Sequence, residues 1–343
     1  MSTAPVNAVP PEVAASQLVF QLATGYIASS ALYVAVKLRV ADRLADGPRP
    51  VADLAAAAGA NGDGLYRVLR SLASLGVFEE VSPGTFANNL ASSTMRSDAP
   101  GSTQPMALWM SDPFHFRVYA DMMHSVMTGQ PAAEQTVGMP VFEYFQREKA
   151  LSEVFNDAMT AFSAFVVPAA LEAYDFGDIS LLVDVAGGHG QVLTSILQKH
   201  ARMRGILFDI EHVIAGAIPR LEQAGVNDRC STATGDFFKA VPEGGDAYIM
   251  KHIIHDWDDE RALKILANIR KAMKPGGRII LLESVLASSN QPDFGKLIDL
   301  EMLVMPGGRE RTADEFRALF QRAGFTVTKI VPTKSPLSVI EAR

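Results

Sequence analysis

Thiol chemistry is nearly absent from this chain: its only cysteine is Cys230, so no intrachain disulfide can form and no thiolate metal site can be built. A reducing cytoplasm is the expected location. Basic residues are outnumbered, 31 Lys and Arg against 38 Asp and Glu, for a formal charge of −7 over 343 residues. No basic surface is left over to neutralise phosphates, which counts against nucleic acid as a main partner. Charge of either sign vanishes over residues 13–36. That run is long enough for a membrane span, but Gln17, Gln21, Thr24, Gly25, Ser29 and Ser30 interrupt it and no basic n-region precedes it. It reads as a helix of a soluble protein with no membrane partner. A helix so uncharged needs covering, by a second subunit or by its own chain. Internal repeats and low-complexity tracts are also missing, and the length suits two domains rather than one core.

What is present is most telling at LLVDVAGGHGQ, residues 181–191, where an apolar run leads into a turn with almost no side chains. Gly187, Gly188 and Gly190 let the backbone approach a ligand and adopt dihedrals that a Cβ disfavours. Asp184 lies within the strand, and Asp209 ends the next apolar run, where a carboxylate can hold a ribose diol. The dinucleotide fingerprint G-x-G-x-x-G/A is not met, because Ala186 takes its first position and Gln191 its third. A phosphate loop is not met either, since no Lys follows the glycines. The better match is the D-x-G-x-G-x-G turn of S-adenosylmethionine-dependent methyltransferases, with Ala186 in place of the first glycine.

Residues 1–11 read as a Pro-rich, frayed start. Residues 12–100 read as a helical unit with a winged-helix pattern: a short helix, a turn, and a second helix carrying Leu65, Val68, Leu69, Leu72 and Leu75 on one face. A hairpin then turns at Ser82-Pro83-Gly84. Only Arg67 and Arg70 lie on the would-be recognition helix, so DNA binding is not expected. Residues 101–178 are expected to be helical, as linker and pocket wall, with a boundary near Asp175–Ser180. From 179 to 343 strands alternate with helices, the pattern of an α/β doubly wound sheet. Strands are expected near 181–186, 204–210, 229–234, 246–254 and 278–286, with helices near 190–200, 212–224, 259–273 and 312–323. The closing runs 326–331 and 337–342 are joined too tightly for anything but an antiparallel pair. The sheet is therefore mostly parallel with an antiparallel final strand.

Chemistry concentrates at YIMKHIIHDWDDERA, 248–262, whose apolar strand leads to His255, Asp256 and Trp257. Ligands bind outside the carboxyl ends of strands in open α/β sheets, so His255 is placed on the ligand side. Imidazole suits removal of a proton from a hydroxyl, because it titrates near neutrality. The alternative is that His255 caps the following helix or bonds a core group. Glu283 ends the strand GRIILLE, and Glu310 precedes a helix capped at Thr312; either could orient His255. His252 and His255, three apart on an expected strand, should point to opposite faces and share no ion, so no metal is implied. Phe155, Met159 and Phe162 recur at helical spacing.

LVDVAGGHG, FD at 208–209, GDFF at 235–238, MKHIIHDWDDE at 250–260 and GGRERT at 307–312 together resemble the plant caffeate-type and animal hydroxyindole O-methyltransferases. The resemblance covers nearly the whole chain. It implies a class I methyltransferase sheet behind a winged-helix dimerisation domain, and a metal-independent enzyme of secondary metabolism that works as a homodimer. Its implied cofactor is S-adenosylmethionine, with S-adenosylhomocysteine as product. Gly187, Asp209, Asp236, Phe237 and Lys251 match its cofactor contacts, and His255, flanked by Glu283 and Glu310, matches its catalytic set. Phe155, Met159, Phe162 and Met302 fall against the acceptor, a small hydroxylated aromatic molecule. Methyl transfer would be an in-line displacement with His255 as general base. His252 stands where plant relatives carry tryptophan in K-W-I-x-H.

Three rival readings remain. Some similar proteins bind S-adenosylmethionine yet hydroxylate or decarboxylate, and these tend to lack the histidine. A ligand-sensing winged-helix regulator would bind DNA in a salt-dependent way. A nicotinamide-dependent dehydrogenase would need the missing third glycine.

Overall fold

The computed structural model describes residues 10–343. The chain divides into two compact units, Met1–Phe116 and Arg117–Arg343. In the first, the helix Pro11–Lys37 starts on proline, tolerated there because the first-turn N–H has no helical partner. Most of it is exposed: Leu18, Phe20 and Leu22 are 56, 70 and 75% accessible, and only Ala35 and Val36 are buried. By length and composition alone, it and the helix Lys149–Ala173 are the two described helices able to cross a membrane. The helices Val51–Ala58 and Gly62–Ser74 lie between β1 (Arg49–Pro50) and the hairpin of β2 (Glu79–Ser82) and β3 (Thr85–Ala87), and the three strands form a small antiparallel sheet ordered β1-β3-β2. Leu65, Leu69 and Leu72 turn inward with Leu54, Phe78 and Phe86, whereas Leu75 stays exposed.

The second unit carries β4 (Leu181–Val185), β5 (Arg204–Asp209), β6 (Cys230–Thr234), β7 (Ala247–Lys251), β8 (Arg278–Glu283), β9 (Val285–Leu286), β10 (Arg311–Thr312), β11 (Val327–Pro332) and β12 (Ser338–Ala342). Seven of these form one sheet, ordered β11-β12-β8-β7-β4-β5-β6, in which only β12 runs against its neighbours. This is the expected mostly parallel class I architecture with a reversed final strand. Strand alternation explains its two-sided core. Leu182, Ile249, Ile280 and Leu282 pack with Leu193 and Ile196 in one cluster. Val183, Tyr248, Met250, Ile279 and Leu281 pack with Ile265, Ile269 and Phe316 in the other.

Strand order reverses between β4 and β7, and the crevice at their carboxyl ends is where such sheets bind ligands. The strand expected to reach residue 254 stops at Lys251. His252 takes a left-handed φ of 53°, which turns the chain out of the sheet, and Ile254–Asp256 coils into one 3-10 turn. The helix after it is capped by Asp258, whose Oδ1 accepts the Arg261 N–H at 2.8 Å. His255 is therefore free of that capping task.

Candidate active site

The turn after β4 is built for close approach. A Cβ on Gly187 would lie 2.5 Å from Leu207 Cδ1 and 2.6 Å from Asp184 Cγ, so any side chain there would force these two buried groups to move. Gly188, at φ 59°, would place a Cβ in open space. Its N–H donates to Asp209 Oδ2 at 2.8 Å, and the Ile210 N–H donates to Oδ1 at 2.7 Å. Two backbone donors thus hold the Asp209 carboxylate beside the glycine turn, while burial raises its pKa. Asp184 lies beneath the turn with Oδ2 unpaired, and burial pushes it up to about 7. Ala186 also adopts a left-handed φ, 55°, at the position of the missing first glycine.

A cavity of about 350 Å³ opens over this turn. Its walls include Gly187, Asp209, Asp236, Phe237 and Lys251, so the five cofactor candidates converge there although Gly187 and Lys251 lie 64 positions apart. Asp236 Oδ1 accepts the Phe238 N–H at 2.8 Å, fixing the bend that presents Phe237. Phe237 and Phe238 pack edge-on against Trp257, with centroids 6.0 and 4.8 Å away. Lys251 is deeply buried near Glu283, Asp184 and Asp256; loss of water lowers its pKa to about 8 against the pull of those acids. A bare glycine turn, a backbone-held carboxylate and an aromatic wall suit a nucleoside-bearing cofactor.

His255 is buried, at 5% exposure, immediately behind the cavity wall formed by His252 and Asp256. Its Nδ1 lies 2.7 Å from Glu310 Oε1 and 3.8 Å from Glu283 Oε2, and its Nε2 lies 3.4 Å from Asp256 Oδ1. Glu283 Oε1 accepts the N–H groups of Ile253 and Ile254 at 3.1 and 3.0 Å, so this carboxylate also braces the turn. The two glutamates meet because β9 and β10, the residues just after each, pair in parallel with Val285 opposite Arg311. Burial raises both, Glu310 to about 8 with Asp299 adding to the push, and Glu283 against the opposing effect of His255. Asp256 is likewise pushed up to about 7 by burial.

Phe155 and Met159 line the cavity from the helix Lys149–Ala173. Phe162, one turn on, is not a lining residue but stacks on His252 at 5.2 Å and 27°. Met302 is buried elsewhere in the helix Phe294–Val304, and its carbonyl accepts the Gly307 and Gly308 N–H groups at 2.9 and 3.0 Å. It is not among the lining residues.

Residues 119–326 match the O-methyltransferase domain family, and residues 20–98 match the O-methyltransferase dimerisation domain. The chain belongs to the O-methyltransferase family. It is 44% identical over 328 residues to the phenazine O-methyltransferase PhzM of Lysobacter antibioticus, covering 96% of both chains. The crystal structure of LaPhzM superposes with a TM-score of 0.92 at 43% identity, over 98% of this chain and 99% of that one. Human N-acetylserotonin methyltransferase, solved in complex with S-adenosylmethionine, superposes with a TM-score of 0.89 at 28% identity over 98 and 99%. This O-methyltransferase uses S-adenosylmethionine and carries its family's dimerisation domain.

One expectation about the enzyme is corrected. The strand does not extend to His255, and the left-handed turn at His252 brings the two imidazoles together, with centroids 4.3 Å apart and planes 33° from parallel. They do not point to opposite faces. With Glu283 they offer three ligand atoms within 4.8 Å of one another. Of these, His255 Nδ1 is already engaged by Glu310 at 2.7 Å.

Arg311 was missed in the sequence. Its buried guanidinium donates to the carbonyls of Ile254 at 3.2 Å and Trp257 at 3.0 Å, on either side of His255, and to Asp259 Oδ1 at 2.9 Å. The only sequence signal was a charge in GGRERT beside Glu310.

Proposed function

We propose that the enzyme methylates a hydroxyl of a small aromatic acceptor, with His255 as general base and Glu310 and Glu283 as positioning residues. The observation that carries this reading is the 2.7 Å contact between His255 Nδ1 and Glu310. A carboxylate there accepts the Nδ1 hydrogen and leaves the imidazole lone pair on Nε2. Glu283 holds the turn that aims the ring. When bound, S-adenosylmethionine supplies an electrophilic methyl on a sulfonium, and its departure leaves a neutral thioether. Gly187, Asp209, Asp236, Phe237 and Lys251 would hold it.

On the protein's side, the acceptor oxygen gives its proton to Nε2 as its electron pair forms the new bond to carbon. The hydrogen bond to Nε2 must tighten into the range of about 2.6–3.2 Å as the acceptor seats. General-base assistance is worth about 10²–10⁴-fold, and alignment of the two reactants much of the rest. Phe155 and Met159 supply flat, polarisable contacts that suit an aromatic guest. The phenazine acceptor named for the 44% identical relative makes hydroxyphenazines the first compounds to try. The exposed apolar helix Pro11–Lys37 supports a homodimer formed through the dimerisation domain, and the single cysteine suits a reducing cytoplasm.

The test is transfer of labelled methyl from S-adenosylmethionine to hydroxyphenazines, catechols, hydroxyindoles and hydroxyquinones, with wild type beside His255→Ala. Transfer that falls by at least ~10²-fold in the variant supports the base assignment. Equal transfer by both proteins removes His255 as the base.

A further inference from the structure

His252 is unaccounted for by the cofactor contacts and by the base. It lines the cavity, adopts a left-handed backbone that side-chain-bearing residues rarely take, and has a buried Nε2 with no hydrogen-bond partner. Strained backbone and unmatched buried polar atoms gather where a ligand completes the structure. Its ring is fixed between Phe162, at 5.2 Å, and His255, at 4.3 Å.

We infer that His252 selects the acceptor, favouring aromatic molecules with a second hydrogen-bonding heteroatom ortho or peri to the hydroxyl that is methylated. The inference rests on the acceptor reading above. With centroids 4.3 Å apart, His252 on the cavity wall and His255 just behind it are spaced to meet neighbouring atoms of a flat guest, one for each ring. The hydroxyl goes to His255, and the adjacent heteroatom goes to His252. Burial beside His255 and Lys251 holds the His252 imidazole well below its ordinary range. It therefore stays neutral, with one N–H and one lone pair, and can match either a ring nitrogen or a second hydroxyl.

The test compares 8-hydroxyquinoline with 1-naphthol, which share a bicyclic shape and differ in having a nitrogen or a C–H peri to the hydroxyl. Binding is measured calorimetrically with S-adenosylhomocysteine present, and kcat/KM is measured with S-adenosylmethionine. Wild type should favour 8-hydroxyquinoline by about tenfold, the worth of one hydrogen bond. His252→Phe keeps the ring stack and should bring the two affinities together, whereas His252→Gln should retain part of the preference. Unchanged S-adenosylhomocysteine affinity checks that the variants are folded. Equal binding of both probes by wild type, or a preference that survives in His252→Phe, overturns the inference. A preference in binding that disappears in His252→Phe without any methyl transfer supports the role of His252 and counts against the methyl-transfer reading.

Discussion

Gly308 lies against the carbonyl of His255 so closely that a Cβ there would overlap that oxygen and the Asp256 backbone. The neighbouring Arg309 N–H donates to the same carbonyl at 2.8 Å. The GGRERT loop is thus a mould for the turn that carries His255. Gly308→Ala should shift His255 and Asp256 while sparing the Gly187 turn. We expect kcat/KM to fall by ~10²-fold or more, the effect of a misplacement near 1 Å, with S-adenosylhomocysteine affinity nearly unchanged. Wild-type turnover in the folded variant would contradict this account.

The Glu310–His255 pair predicts an acid limb in the pH–rate profile. Glu310 is raised by burial to about 8, so below that pH it carries a proton that it donates to Nδ1, and the remaining ring hydrogen sits on Nε2. The base form appears as pH rises, and kcat/KM should climb through about 8. In Glu310→Gln the carboxyl proton is absent, so the limb should move to lower pH and the plateau should drop. A limb that stays near 8 would instead point to Asp256 or Lys251, whose pKa values are near 7 and 8.

Ala186 holds a left-handed φ of 55° that costs a side-chain-bearing residue about 1–2 kcal/mol, whereas glycine loses about 0.5–1 kcal/mol through its freer unfolded chain. Ala186→Gly should therefore stabilise the protein by about 0.5–1 kcal/mol in denaturant unfolding. Ala186→Val should destabilise it. An Ala186→Gly variant that unfolds earlier than wild type would show that the methyl group makes compensating contacts.

Arg311 bonds two carbonyls that bracket His255, and lysine cannot span both along with Asp259. Arg311→Lys should cost about 1–3 kcal/mol in stability by leaving a buried carbonyl unmatched. Its functional signature should be a lower kcat with little change in KM for S-adenosylmethionine. Loss of cofactor binding instead would mean that the clamp supports the whole crevice.

The α/β alternation, the glycine turn, Asp209 and the antiparallel close were legible in the sequence because each depends on neighbours along the chain. Glycine permits a left-handed turn wherever it stands, and an apolar run flanked by helical stripes is buried on both faces wherever the sheet forms. Asp209 could be read because it ends the strand beside β4, and parallel register carries it to the glycine turn. The motif HDW marked His255 as chemically notable without revealing what surrounds it.

The surroundings were decided by tertiary structure. Glu310 reaches His255 across 55 residues because β9 and β10 pair two positions beyond Glu283, a register no local pattern specifies. The close approach of His252 to His255 depends on one left-handed dihedral that ended the strand early, where residue type alone favoured continuation. Arg311 could be buried only because the carbonyls of a distant turn were there to receive its donors. Chain-local chemistry dictated which elements form and where the bare glycine turn lies. Which side chains face one another was set by strand register and buried polar pairing, which exist only once the sheet has closed.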